Sequence, residues 1–164
     1  MLRPMARYDW ARVRQIYLEG IHGGLATFEA DAPQWDDFNS GHLPIGRAVA
    51  IIADHIVGWI ALAPISTRDA YRGVAETSIY VANESQRNGV GQRLLQYACR
   101  ASEAAGIWTL QATIFLANDA SCQLHSRAGF RVVGQRERIA RVDHGQFAGQ
   151  WIDTVLVERR AALP

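Results

Sequence analysis

The amino-acid sequence predicts a single mixed α/β domain in which helices cover the strands of one sheet. Residues 74 to 128 run strand, helix, strand, helix, the order of a βαβ unit with a parallel crossover. Two β-branched runs, Arg47 to Ala53 and Ile56 to Ala63, flank the turn pair Asp54-His55 and predict an antiparallel hairpin. A chain of 164 residues, 49% hydrophobic and 20% charged, carries enough apolar surface for one core.

The elements follow in order. A short strand near Leu2 to Met5 precedes Asp9, a candidate N-cap, and Val13, Ile16, Tyr17 and Ile21 then recur at helical spacing. His22-Gly23-Gly24 ends that helix, and a segment led by Pro33 with Trp35 and Phe38 predicts a second, short one. After the hairpin and a loop from Pro64 to Arg72, Val74 to Val81 reads as a strand that one acidic residue, Glu76, interrupts. From Gly89 onward, Val90, Leu94, Ala98, Ala101 and Ala105 share a helical face, and Gly106 stops the helix. Trp108 to Phe115 is a strand, Asn118 to Ala128 a short helix closed by Gly129, and Phe130 to Val133 and Trp151 to Val157 are the last strands.

Composition narrows the function. Lys plus Arg number 17 against 16 Asp plus Glu, so no overall field draws the chain to nucleic acid or an anionic membrane. Neither a signal-peptide run nor a membrane-length apolar stretch is present, and a cytoplasmic location is expected. Cys99 and Cys122 lack the spacing of a disulfide framework or a zinc site and read as inert helix thiols. His22, His42, His55 and His144 show no metal-ligand spacing either, so no metal is expected. A small ligand remains.

The loop Gln86-Arg87-Asn88-Gly89-Val90-Gly91 joins a strand to a helix, where glycines let backbone N–H groups crowd around an anion. A dinucleotide fingerprint would require a third glycine where Leu94 stands, and a P-loop would require Gly-Lys-Ser/Thr, which the chain lacks. A pyrophosphate of the coenzyme A type is the remaining candidate. Gln86-x-x-Gly89-x-Gly91 after Ile79-Tyr80-Val81 resembles the acyl-CoA signature of the GNAT acetyltransferases. Ala26-Thr27-Phe28-Glu29, Ala70-Tyr71-Arg72, Glu76-Thr77-Ser78, Asn118-Asp119-Ala120-Ser121, Leu124-His125, Ala128-Gly129-Phe130 and Trp151-Ile152-Asp153 resemble the phosphinothricin acetyltransferase branch of that family, over nearly the whole chain. The stretch Arg141 to Gln150 departs from the branch by its length.

The resemblance implies a GNAT fold: a mixed, mostly antiparallel sheet with a V-shaped opening at its parallel pair, flanked by helices, in a homodimer. It implies acetyl-CoA along Ile79 and Val81, on Gln86, Arg87, Asn88, Gly89, Val90, Gly91 and Gln92, and against Asn118 and Ser121. The chemistry then has three needs. An acceptor amine that is mostly ammonium at pH 7 needs a base, and Glu76 matches the branch's catalytic glutamate. The developing oxyanion needs a donor, such as a strand N–H freed by a bulge. The departing thiolate needs assistance, and His125, which shares a helix face with Asn118 and Ser121, occupies the position implied for it. For the acceptor, Arg68 and Arg72 flanking Tyr71 suit a carboxylate and a second polar end, and Phe28 suits a pocket wall. Phosphinothricin, methionine sulfoximine or sulfone, and arsenic-bearing glutamate analogues all fit that description. The alternatives are acetylation of a peptide N-terminus or another amine, and a CoA-binding regulatory module without turnover.

Overall fold

The computed structural model describes residues 1–162. Seven strands, β1 (Leu2–Pro4), β2 (Ala48–Ile52), β3 (His55–Pro64), β4 (Val74–Val81), β5 (Thr109–Phe115), β6 (Arg131–Arg141) and β7 (Trp151–Arg160), form one sheet. Its spatial order is β1-β2-β3-β4-β5-β7-β6. Helices α1 (Trp10–Gly23) and α2 (Trp35–Gly41) cover one face, and α3 (Val90–Ala104) and α4 (Asp119–Arg127) cover the other.

Alternation along the strands sorts the core into two layers. On β3, Ile60 and Leu62 join Leu94, Leu95, Leu110 and Ile114 under α3, while Trp59 and Ala61 join Val13, Ile16 and Phe38 under α1 and α2. Burial on both faces explains why β3 reads as a continuous apolar run rather than an alternating one.

Every paired strand is antiparallel except β4 and β5, which are parallel and joined through α3. Their pairing lasts only from Val74–Thr109 to Glu76–Gln111. Beyond that point β4 stays registered with β3 as far as Val81, and β5 stays registered with β7 as far as Phe115. The two strands therefore diverge, and the sheet opens as a V with Glu76 and Gln111 as its last closed rung.

Three expectations change. Asp9 makes no side-chain cap on α1; its carboxylate accepts from the Ala6 N–H at 2.8 Å and from both Arg3 terminal nitrogens at 2.7 Å. Burial pushes that carboxyl up, but the Arg3 and Ala6 hydrogen bonds outweigh it and hold it below its ordinary range. The β2–β3 turn is Ala53-Asp54, both at positive φ, one residue earlier than the sequence suggests. Finally, β6 continues to Arg141, because pairing with β7 resumes beyond an irregularity between Arg136 and Ala140.

Thr154 on β7 is fully buried and its hydroxyl finds no partner among the described residues. Thr154→Val keeps the shape and removes the unpaired oxygen, so it should raise stability by about 1 kcal/mol. A urea midpoint no higher than that of the parent would contradict this.

Candidate functional site

The V between β4 and β5 opens into a cleft of about 1150 Å³. Its walls come from β4, the loop before α3, β5, α4, the α1–α2 loop and the irregular part of β6.

Backbone groups of β4 alternate in direction. The Gly73 carbonyl accepts from Trp108 and Thr109, so odd-numbered positions face β5. Past the last rung, Ile79 and Val81 thus point their N–H and C=O groups into the opening. No bulge is needed, since the β3–β4 register runs without a break from Val74 to Val81. Divergence of the neighbouring strand frees the edge instead.

At the far end of β4 the chain enters α3 through Arg87 at φ +62° and Gly89 at φ +74°. No side chain caps α3, so the first-turn N–H groups of Val90, Gly91 and Gln92 meet the cleft unclaimed by a cap. Gln86 lines the cleft, but its amide nitrogen is used on the Val81 carbonyl at 3.5 Å and Asn83 Oδ1 at 3.1 Å, which braces the loop. Asn88 is exposed in the loop and lies outside the lining.

On the α3 and α4 side, Asn118 caps α4 by accepting from the Ser121 N–H at 3.0 Å, and its amide donates to the Leu25 carbonyl at 3.0 Å. His125 is 2% exposed. Its Nδ1 lies 2.9 Å from the Ser121 carbonyl and therefore carries the proton. Nε2 is left as an acceptor, 3.4 Å from the Thr77 hydroxyl. Burial lowers the affinity of this imidazole for a second proton, so at pH 7 it is neutral. The sequence expectation of a residue ready to aid a thiolate thus meets a side chain that presents a lone pair.

Glu76 projects from the opposite face of β4. Gln111, its rung partner, donates to Oε2 at 2.8 Å, which fixes the carboxylate and leaves its other oxygen for a ligand. Phe28 reaches this side and packs on Phe115 at 4.5 Å between ring centroids. The Tyr17 and Tyr80 rings lie nearby, 4.7 Å apart and tilted by 50°. Burial raises both phenols, Tyr80 the more strongly, so both remain protonated donors. The long Arg141 to Gln150 stretch also arrives here: Gln146 donates to the Gly23 carbonyl at 3.1 Å, and the Phe147 ring packs where a side chain on Gly24 would stand.

The structure brings together most of the residues singled out in sequence, but it leaves Arg68, Tyr71 and Arg72 outside the cleft lining. Arg68 stacks over Tyr71 at 5.7 Å, and Arg72 pairs with Asp69 at 3.3 Å over the Trp108 ring. Their loop precedes the closed end of the V, where β4 and β5 are still paired. Thr77, Thr113, Tyr17 and Arg136 also line the cleft, and Gln111, outside the lining, holds Glu76; the sequence reading missed all five. Only Gln111 and Thr113 had a signal, as polar residues alternating with apolar ones along a strand.

Two imidazoles, the buried His125 and the half-buried His42, are held neutral by burial first of all. Their folded affinity for a proton lies below the ordinary 6.5, so the unfolded chain protonates first as pH falls. Stability is full above that value and should decline below it. Chemical denaturation at about pH 7.5 and 5.5 should show the loss, and His125→Gln should reduce the slope. A pH-independent midpoint over that window would exclude the assignment.

Among the described residues no group of three or more His, Cys, Asp or Glu is placed to hold a metal, and no helix is long and apolar enough to cross a membrane.

Residues 10–130 match the family model described as Acetyltransferase (GNAT) family. The phosphinothricin N-acetyltransferase of Streptomyces viridochromogenes is 30% identical over 99% of this chain and 88% of its own. The L-methionine sulfoximine/L-methionine sulfone acetyltransferase of Pseudomonas aeruginosa is 30% identical over 65% of this chain, a match that spans 59% of that protein. The crystal structure of a GNAT superfamily phosphinothricin acetyltransferase from Sinorhizobium meliloti in complex with AcCoA superposes with a TM-score of 0.86 at 26% identity, covering 99% of this chain and 88% of that one. With a sheet that splays at its one parallel pair, a glycine loop entering α3 and a family match across most of its length, the chain belongs to the GNAT acetyltransferase family.

Proposed function

We propose that this chain transfers an acetyl group from acetyl-CoA to the amine of a small amino-acid-like acceptor. One observation carries the reading: Glu76 stands at the apex of the V whose mouth is the glycine loop. The cleft fits acetyl-CoA in chemistry. Uncapped helix amides and Arg87 suit its phosphates, and the Ile79 backbone with the Val81 N–H suits the amides of its pantetheine arm. When bound, acetyl-CoA supplies the thioester carbon that the amine attacks.

Glu76 takes a proton from the acceptor ammonium, directly or through water, and the neutral nitrogen forms a bond to the thioester carbon. A β4 N–H facing the opening stabilises the oxyanion at low reorganisation cost. The C–S bond then breaks, the second nitrogen proton passes through water to the leaving sulfur, and Glu76 returns its own proton to solvent. His125 holds the Thr77 hydroxyl in the cleft wall; its Nε2 carries no proton, so it is not the donor to the sulfur. Phe28 and Phe115 wall the acceptor side.

The relatives' names direct the test: L-phosphinothricin, L-methionine sulfoximine and L-methionine sulfone, with an arsenic-bearing glutamate analogue, assayed with acetyl-CoA by release of free thiol. Turnover of at least one is expected. A peptide N-terminus preferred over all of them would transfer the reading to protein acetylation, and acetyl-CoA binding without turnover would leave a binding module.

We also propose a homodimer. β6 is an edge strand, and Val132 and Val133 on it are 63% and 47% exposed. Light scattering that returns the mass of one chain would remove this.

A further inference from the structure

Of the three arginines that line the cleft, Arg87 and Arg127 belong to the glycine loop and α4. The third, Arg136 on β6, lies on the other side of the sheet. Its register partner is Thr154, which faces Phe115 across β7 and β5, so Arg136 shares a face with Phe115, Thr113 and Gln111. Its Nη2 donates to the Thr113 hydroxyl at 3.0 Å, reaching diagonally over β7. Gly134 leaves that path open, since it stands in the same cross-strand row as Leu156 and Thr113 with no side chain.

Arg136 is therefore anchored to Thr113, and Glu76 is anchored to Gln111 two residues away on the same face of β5. That separation is about 6.8 Å along the strand. Two hydrogen bonds of about 2.9 Å, joined by the N–Cα–C–O path of an α-amino acid, cover it. Arg136 forms no ion pair among the described residues. Arg131 and Arg160, on the same sheet face, are both engaged by Glu158. One guanidinium with unspent donors thus faces the side of the cleft where the candidate base waits.

Resting on the acetyl-transfer reading above, we infer that Arg136 binds the α-carboxylate of the acceptor while Glu76 receives its α-ammonium proton. The pair reads both ends of a zwitterion. A guanidinium fork suits a planar carboxylate, whereas an amide or ester in its place cannot accept a charge-assisted pair. Arg136 is thus a specificity residue for free amino acids over C-terminally blocked ones.

The test compares L-methionine sulfone with its carboxamide, for the parent and for Arg136→Gln, with acetyl-CoA saturating. The parent should favour the free acid by about 100-fold in kcat/KM. Arg136→Gln should lose about that factor on the free acid, chiefly in KM, and change little on the carboxamide or in acetyl-CoA affinity. Arg136→Lys should recover part of the preference. Equal use of acid and amide by the parent, or an undiminished preference in Arg136→Gln, overturns the assignment while acetyl transfer stands. Acetylation of neither compound nor of any other free amino acid, with acetyl-CoA still bound, overturns the acceptor reading and the carboxylate site together.

Discussion

Glu76→Gln should lower turnover by about 100- to 10,000-fold at pH 7 and leave acetyl-CoA affinity nearly unchanged, because losing a positioned base costs that much while the cofactor's contacts lie elsewhere. The geometry sharpens the expectation. Gln111 donates to one carboxylate oxygen at 2.8 Å, so a glutamine at 76 keeps the volume and can keep that hydrogen bond through its carbonyl. What it loses is the capacity to accept a proton. Raising the pH should restore part of the rate, since a larger fraction of free amine reduces the need for a base. The parent should gain less over the same range. Steady-state kinetics from about pH 7 to 9.5, with calorimetry for acetyl-CoA, check both arms. A Glu76→Gln protein with full activity at neutral pH would place the base elsewhere or require an acceptor that arrives neutral.

Gly89→Val should abolish measurable acetyl-CoA binding in a folded protein. Gly89 sits at φ +74° as the residue that enters α3, and a Cβ placed there would meet no atom of the described residues within 4 Å. Collision is therefore not the cause. A β-branched residue resists the left-handed conformation at a cost of about 1–3 kcal/mol, so the loop shifts and the α3 amides lose their aim. Any side chain that does fit occupies the open space where phosphate oxygens approach the backbone. Gly91→Val acts differently: its Cβ would lie 3.2 Å from Leu124, so that substitution also pushes on α4. Gly89→Val is the cleaner probe. A dissociation constant within about threefold of the parent's by calorimetry would refute the phosphate role of this loop.

Local pattern was enough to place most of the structure. The Val74 to Val81 strand, the α3 helix after Gly89 and the short α4 helix are where periodicity and glycine punctuation put them, because those signals act over a few residues. The same local signals picked out Glu76 as an acidic interruption and Gln86 to Gly91 as a loop for an anion. Element ends were less legible: the Ala53-Asp54 turn and the tail of β6 depend on register with a partner strand, which no window of sequence contains.

Long-range placement decided the rest. Asp9 looks like a cap in sequence, yet Arg3 across the β1–α1 turn claims it. Arg68 and Arg72 look like an acceptor clamp because they precede Glu76 closely, but that loop leads into the closed end of the V, and contact along the chain is not contact in space. Arg136, sixty residues beyond Glu76, reaches the cleft because β7 inserts between β5 and β6 and Gly134 clears its path. His125 stands in the wall its helix spacing suggested, while its proton state follows from burial and from a carbonyl on the preceding turn. Periodicity and turn chemistry are short-range and legible in a string of residues, whereas the divergence of β4 from β5, which makes the cleft and selects who lines it, arises only when seven strands settle into one order.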